Sequence, residues 1–140
     1  TRGNVLMARY LLDTDICVYG IKDRFESIRL HLLENAGEMA ISTVTYSELM
    51  YGAEKSDRPE RTRRGIKIFT APLEILTFDI AAAAHFAQIR ADLSKAGKII
   101  GPYDMMIAGA ARARGLILVT NNTREFSRVD GLRLENWTHD

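Results

Sequence analysis

Arg9-Tyr10-Leu11-Leu12-Asp13-Thr14-Asp15-Ile16 is the stretch that decides how this chain folds. Tyr10 to Leu12 is a short apolar run of strand character that stops at a carboxylate, and a helical pattern starts at once. Open parallel sheets gather their ligands at the carboxyl ends of strands, where helix N-termini also direct N–H groups. Asp13 therefore stands where an α/β protein places its chemistry. Asp15 follows, one threonine further on.

The alternation continues outward from there. Asp15 to about Lys22 reads as a helix, and Phe25, Ile28, Leu32 and Leu33 mark a second one, closed by Asn35-Ala36-Gly37. Met39-Ala40-Ile41 is a second strand, ending in Ser42-Thr43. Thr45-Tyr46-Ser47-Glu48 has capping-box spacing, which predicts a helix start with Glu48 in its first turn. Pro59 suits a first helical position, and that helix should reach about Thr70. Leu73 to Phe78 forms a third strand, and Asp79 opens an alanine-rich helix that runs to Gly97.

Gly101-Pro102-Tyr103-Asp104 punctuates the chain before a helix of small residues, Met105 to Ala111, suited to close packing on a sheet. Leu116 to Val119 is apolar at every position, as a buried parallel strand requires. Thr120-Asn121-Asn122-Thr123 turns into a short helix around Glu125 and Phe126, and Leu132 to Leu134 supplies an edge strand. The economical fold is a three-layer α/β/α sandwich on a mainly parallel central sheet.

With 140 residues, the chain fits one domain, expected over residues 7–140. Residues 1–6 lack the apolar middle of a signal peptide and are expected to be a cloning-derived leader ahead of a start at Met7. Nineteen Lys and Arg against 18 Asp and Glu leave a charge of +1, so bulk charge argues neither for nor against nucleic acid. A single cysteine, Cys17, excludes an internal disulfide and a Cys-based zinc cluster, and it suits a reducing cytoplasm. No apolar run approaches the ~20 residues that span a bilayer.

Four acids stand at junctions. Asp13 ends the first strand, Glu48 lies in the helix after the second, Asp104 opens an apolar helix, and Glu125 follows the turn after Leu116–Val119. Each alone has a capping explanation: Asp13 as an N-cap, Glu48 in its capping box, Asp104 as a first-turn acid. Capping does not explain why four of them should converge on one sheet edge. Carboxylates crowded in one crevice resist joint ionisation unless a cation is present, and oxygen-only ligands favour Mg²⁺ or Mn²⁺ over zinc. Such an ion suits phosphodiester hydrolysis.

Basic residues offer two candidate contacts for nucleic-acid phosphates. Lys55, Arg58, Arg61, Arg63, Arg64 and Lys67 cluster on one segment, where a solvated helix face is the plainer explanation. Arg112 and Arg124, with Arg114 and Arg128, lie closer to the acids and are the better candidates for binding such a chain. His31, His85 and His139 share no motif with one another or with Cys17. Neither a P-loop nor a dinucleotide fingerprint occurs.

Four groups of residues resemble, in order, the successive motifs of PIN-domain ribonucleases, and among these the VapC toxins of bacterial toxin–antitoxin pairs. They are Leu11-Leu12-Asp13-Thr14-Asp15; Ser47-Glu48-Leu49 with Tyr51-Gly52-Ala53; Gly101-Pro102-Tyr103-Asp104 with Ile107-Ala108; and Thr120-Asn121-Asn122 with Glu125-Phe126. The likeness runs from Met7 to Trp137.

The resemblance implies a metal-dependent endoribonuclease with Asp13 and Asp104 as principal Mg²⁺ ligands and Glu48 completing the site, directly or through water. Asn122 stands where many relatives carry aspartate, so Glu125 is the candidate fourth acid and one metal is the safer count. Thr14, Asp15, Thr120 and Asn122 would support the ligands from behind. It further implies an RNA substrate such as tRNA, 5′-phosphate products, a homodimer and a VapB-type antitoxin that enters the acidic groove.

Two other readings stay open on the residues alone. An apolar strand ending in Asp13-Thr14-Asp15 is similar to the opening motif of haloacid-dehalogenase-type phosphatases, in which the first aspartate attacks phosphorus. Those enzymes also need a later lysine and a downstream acidic pair, and this chain has no Asp-Asp pair. The other is a non-catalytic regulatory domain that holds a partner.

Overall fold

The computed structural model describes residues 8–139. The expectations placed on the leader and on Met7 lie outside the described residues. Among the described residues there are five strands: β1 Tyr10–Leu12, β2 Met39–Ser42, β3 Glu74–Leu76, β4 Ile117–Val119 and β5 Leu134–Glu135. Seven helices connect them, two in each of the first three connections and one in the last: α1 Thr14–Ile21, α2 Glu26–Glu34, α3 Thr43–Glu54, α4 Pro59–Thr70, α5 Ile80–Lys95, α6 Pro102–Ala113 and α7 Thr123–Phe126.

All strands are parallel, in the order β3-β2-β1-β4-β5. The chain builds outward from β1 to β2 and β3, then crosses back to place β4 on the other side of β1. The direction of winding reverses between β1 and β4, so a crevice opens beyond their carboxyl ends. Register pairs Leu12 with Val119 there, so Asp13 and Thr120 are the next residues on the two sides of the crevice.

Strand periodicity divides the core into two layers. Leu11, Ala40 and Leu118 face one cluster with Ala82, Ile89, Ile107 and Phe126 from α5, α6 and α7. Tyr10, Leu12, Met39, Ile41 and Val119 face the other, with Ile16, Cys17, Ile28, Leu49, Ile66 and Trp137. Helices cover both faces, as the three-layer expectation requires.

Element bounds differ from the sequence reading where a side chain competes with the backbone pattern. α3 begins at Thr43, because Ser42 is its N-cap and accepts from the Thr45 N–H at 3.1 Å. The expected capping box is therefore displaced, and Glu48 lies in the second turn, not the first. β3 is shorter than Leu73–Phe78, since the Phe78 N–H leaves the sheet to donate to Thr43 Oγ1 at 3.3 Å. The last strand is Leu134–Glu135, later than Leu132–Leu134, with the Thr120 N–H donating to the Glu135 carbonyl at 3.0 Å. Asp79 caps α5 as expected, accepting from the Ala82 N–H at 2.9 Å, and Pro59 is a first-turn residue of α4.

Candidate active site

Asp13 is the residue between β1 and α1 and is only 4% exposed. Both of its carboxylate oxygens accept: Oδ1 from the Thr14 N–H at 2.9 Å and Oδ2 from the Thr120 hydroxyl at 2.7 Å. It is thus the helix N-cap that a plain reading predicts, and it is also the floor of the crevice. Burial pushes its carboxyl up from 3.8 to about 8, with the neighbouring charge of Asp15 adding to the rise. The hydrogen bonds from Thr120 and Thr14 oppose that rise.

Asp15 sits one residue into α1. Its Oδ1 accepts from the Ile16 N–H at 2.7 Å and its Oδ2 from the Asn121 N–H at 3.1 Å. It therefore clasps the turn after β4 to the start of α1. Burial raises its carboxyl as well.

Glu48 reaches the crevice from α3. The Thr14 hydroxyl lies 2.6 Å from its Oε1 and 3.1 Å from Thr45 Oγ1. A hydroxyl has one proton, so Thr14 gives it to the closer carboxylate and Thr45 Oγ1 is the longer, alternative acceptor. Asp104 is the third residue of α6, held on an apolar helix whose Gly109 packs against α5. Burial raises its carboxyl to about 6, and the charges of Glu48, Glu125 and Asp15 follow in that order. Glu125 lies in α7, where Asn122 Nδ2 donates to its Oε1 at 2.8 Å. The Asn122 N–H in turn donates to Thr120 Oγ1 at 2.9 Å.

Asp13, Asp15, Glu48, Asp104 and Glu125 are thus brought within electrostatic reach from four separate segments, with Thr14, Thr120 and Asn122 behind them. Among the described residues, no group of three or more His, Cys, Asp or Glu is packed tightly enough to cage an ion. The oxygen-only donor set and the raised carboxyls of Asp13 and Asp104 are the features that fit a divalent cation.

Comparison with known proteins agrees with this geometry. The PIN domain family model matches residues 10–132. A tRNA(fMet)-specific endonuclease VapC of Shigella flexneri is 53% identical over 132 residues, 94% of this chain and 100% of the relative. The chain belongs to the PIN-domain family, in its VapC branch. Ribonuclease VapC2 of Haemophilus influenzae is 52% identical over 94% of this chain and 99% of the relative. Among solved structures, DNA-bound VapBC from Salmonella typhimurium has a chain 49% identical with a TM-score of 0.90, covering 94% of this chain and 99% of that one. VapBC2 from Rickettsia felis, bound to a promoter DNA fragment, has one that is 39% identical with a TM-score of 0.87, over 91% and 98%.

Membership in the PIN family, and in its VapC branch, removes support from the phosphatase reading.

The arginines divide by environment. Arg112 is half-buried and committed: its Nε donates to His85 Nδ1 at 2.9 Å, and its terminal nitrogens donate to the Asp130 carbonyl at 2.9 Å and Gln88 Oε1 at 3.0 Å. That set ties α5, α6 and the loop before β5 together. Arg114 pairs with Asp79 at 3.0 Å. Arg124 is exposed, beside Glu125 in α7.

Sequence reasoning missed four residues that support this PIN site. Capping-box spacing places Thr45 at a helix start, yet its hydroxyl lies 3.1 Å from that of Thr14. Asn136 Nδ2 donates to Asn121 Oδ1 at 3.2 Å, and the Thr138 hydroxyl donates to Asn136 Oδ1 at 2.8 Å, fixing the turn whose N–H holds Asp15. Buried Trp137 anchors that segment, stacked 4.9 Å from His31. The one available signal was a tryptophan flanked by two hydrogen-bonding residues at the chain's polar end.

Proposed function

We propose that this protein is a metal-dependent endoribonuclease toxin that hydrolyses RNA phosphodiester bonds. The observation that carries the reading is the convergence of Asp13, Glu48, Asp104 and Glu125 on the β1–β4 switch point of a PIN fold. Asp13 and Asp104 would hold Mg²⁺, or Mn²⁺, as the ligands whose ionisation is most opposed without a cation. When bound there, such an ion would supply charge for phosphate oxygens and acidify water.

Glu48, oriented by the Thr14 hydroxyl, positions the attacking water and receives its proton. Glu125, held by Asn122, shapes the far side of the groove. Thr14, Asp15, Thr120 and Asn122 keep the acids in place. Water attacks phosphorus as the bond to the 3′ oxygen breaks; that oxygen takes a proton from solvent and leaves as a 3′-hydroxyl, and the other product carries the 5′-phosphate.

The substrate is tRNA, and the names of two relatives, from Shigella flexneri and Salmonella typhimurium, support tRNA(fMet) in particular. The partner is a VapB-type antitoxin, a reading supported by similar chains in VapBC complexes. The toxin works as a homodimer in the cytoplasm. Arg124 contributes to RNA binding, and Arg112 serves the fold.

Purified protein should cut tRNA with Mg²⁺ or Mn²⁺ and stop in EDTA, with new 5′-phosphate ends found by sequencing. Cleavage that persists in EDTA, or with Asp13→Ala, sinks the mechanism. Growth arrest by Asp13→Ala as strong as by the parent would favour the non-catalytic binding role.

A further inference from the structure

A groove of about 800 Å³ opens directly from the acidic crevice, sharing Thr14 and Glu48 with it. Its other walls include Val44, Met106, Tyr51 and Tyr103. The two tyrosines are 66% and 59% exposed, unusual for large rings beside a buried site. Each sits within one helical turn of a site acid: Tyr51 three residues after Glu48 in α3, Tyr103 immediately before Asp104 in α6. The helices pack beside one another, so the two rings line one groove.

We propose that Tyr51 and Tyr103 are stacking platforms for the nucleobases next to the scissile phosphate. This rests on the endoribonuclease reading and deepens it. None of the side chains lining the groove is cationic and Glu48 is an acid, so a phosphate has no cationic partner within it, whereas a flat neutral base matches aromatic and aliphatic walls. Charge appears one step further along the same helix face. Glu48, Tyr51 and Lys55 stand at i, i+3 and i+7, and the Lys55 ammonium lies 5.0 Å from the Tyr51 ring centroid. Acid, ring and cation thus succeed one another over about 10 Å of helix. That order fits an RNA strand whose cleaved linkage lies at the acids, whose base stacks on Tyr51 and whose next phosphate meets Lys55.

The test compares Tyr51→Ala and Tyr103→Ala with Tyr51→Phe and Tyr103→Phe. Affinity for a fluorescent single-stranded RNA is read on an Asp104→Asn background, KM and kcat on the active protein, and mass by light scattering. Each Ala variant should weaken RNA binding by about 5- to 100-fold and raise KM more than it lowers kcat, with mass unchanged. The Phe variants, which keep the ring, should match the parent. RNA containing an abasic site in place of the flanking base should erase the difference between parent and Tyr51→Ala. Unchanged affinity and KM in both Ala variants overturn the proposal. A change of mass alone assigns the groove to a second copy, and loss of antitoxin binding alone assigns it to a protein partner; both overturn it. A parent that cuts no RNA refutes the nuclease reading instead, so the two failures are told apart.

Discussion

The Thr120 hydroxyl donates to Asp13 Oδ2 at 2.7 Å, joining residues 107 positions apart in sequence across the one place where the sheet reverses its winding. Register makes the contact unavoidable, because Leu12 pairs with Val119 and the next residue of each strand faces the crevice. Thr120 is itself fully buried and also accepts from the Asn122 N–H. Thr120→Val keeps the shape and removes the hydroxyl, leaving a buried carboxylate oxygen without its partner. It should cost roughly 1–3 kcal/mol in urea unfolding and reduce cleavage, whereas Thr120→Ser should restore both. A Val variant with parental stability and activity would show that this bond does not organise the site.

Titration of the acids gives a pH signature in the absence of metal. The carboxyls of Asp13 and Asp104 stand at about 8 and about 6, above the ordinary 3.8. A raised carboxyl favours the folded state fully below its unfolded value, and that contribution is lost as pH rises through about 6 and then about 8. In EDTA, stability should therefore fall from about pH 4 to about pH 8, and Asp13→Asn should flatten the upper part of that fall. Mn²⁺ should stabilise the parent more at the alkaline end, where its ligands are ionised. A parent-minus-variant difference independent of pH would refute the assignment of the rise to Asp13.

Much of this fold was legible because its signals are local. Leu116 to Val119 is apolar throughout, Asp79 is a good cap, and Pro59 can only begin a helix. Glu48 shows where locality fails. Thr45 and Glu48 have capping-box spacing, yet Ser42, three residues earlier, takes the Thr45 N–H and starts α3 sooner. The displaced Thr45 hydroxyl is then available to Thr14, a contact 31 residues away that no spacing rule contains. Arg112 is a similar case: its partners His85, Gln88 and Asp130 come from two other segments, so sequence showed a cation near the acids and hid its commitment.

Commitment of Arg112 has a measurable consequence. Arg112→Ala removes donors from His85, Gln88 and a backbone carbonyl at once and should destabilise the protein by roughly 1.5–3 kcal/mol. Its effect on RNA should be small once the fold is held, with the slope of log affinity against log salt unchanged. Arg124→Ala should instead leave unfolding intact and lower that slope by about one phosphate contact. The opposite pattern would exchange their roles.

The Thr14 hydroxyl separates positioning from binding at Glu48. Thr14→Val should leave metal affinity close to the parent's, since Asp13 and Asp104 are untouched, while kcat falls because Glu48 loses the donor that aims it. Thr14→Ser should recover most of the loss. Metal affinity that falls with kcat would place Glu48 among the direct ligands.

Asp104 depends on a glycine one turn and a half away. A Cβ at Gly109 would meet the Ala82 carbonyl oxygen and the Phe86 nitrogen, each at 2.9 Å, and the Phe86 Cα at 3.2 Å. All three are backbone atoms of α5, so no side chain can yield, and α6 must move as a body. Alanine favours a helix interior over glycine by ~1 kcal/mol, so propensity alone predicts that Gly109→Ala stabilises. Overpacking between two backbones costs more, typically 1–3 kcal/mol, and should win. The shift would carry Asp104 away from Asp13, so the variant should lose Mn²⁺ affinity as well as stability. A stabilised Gly109→Ala protein with parental metal binding would mean that α5 and α6 are not in the close contact that sets the site.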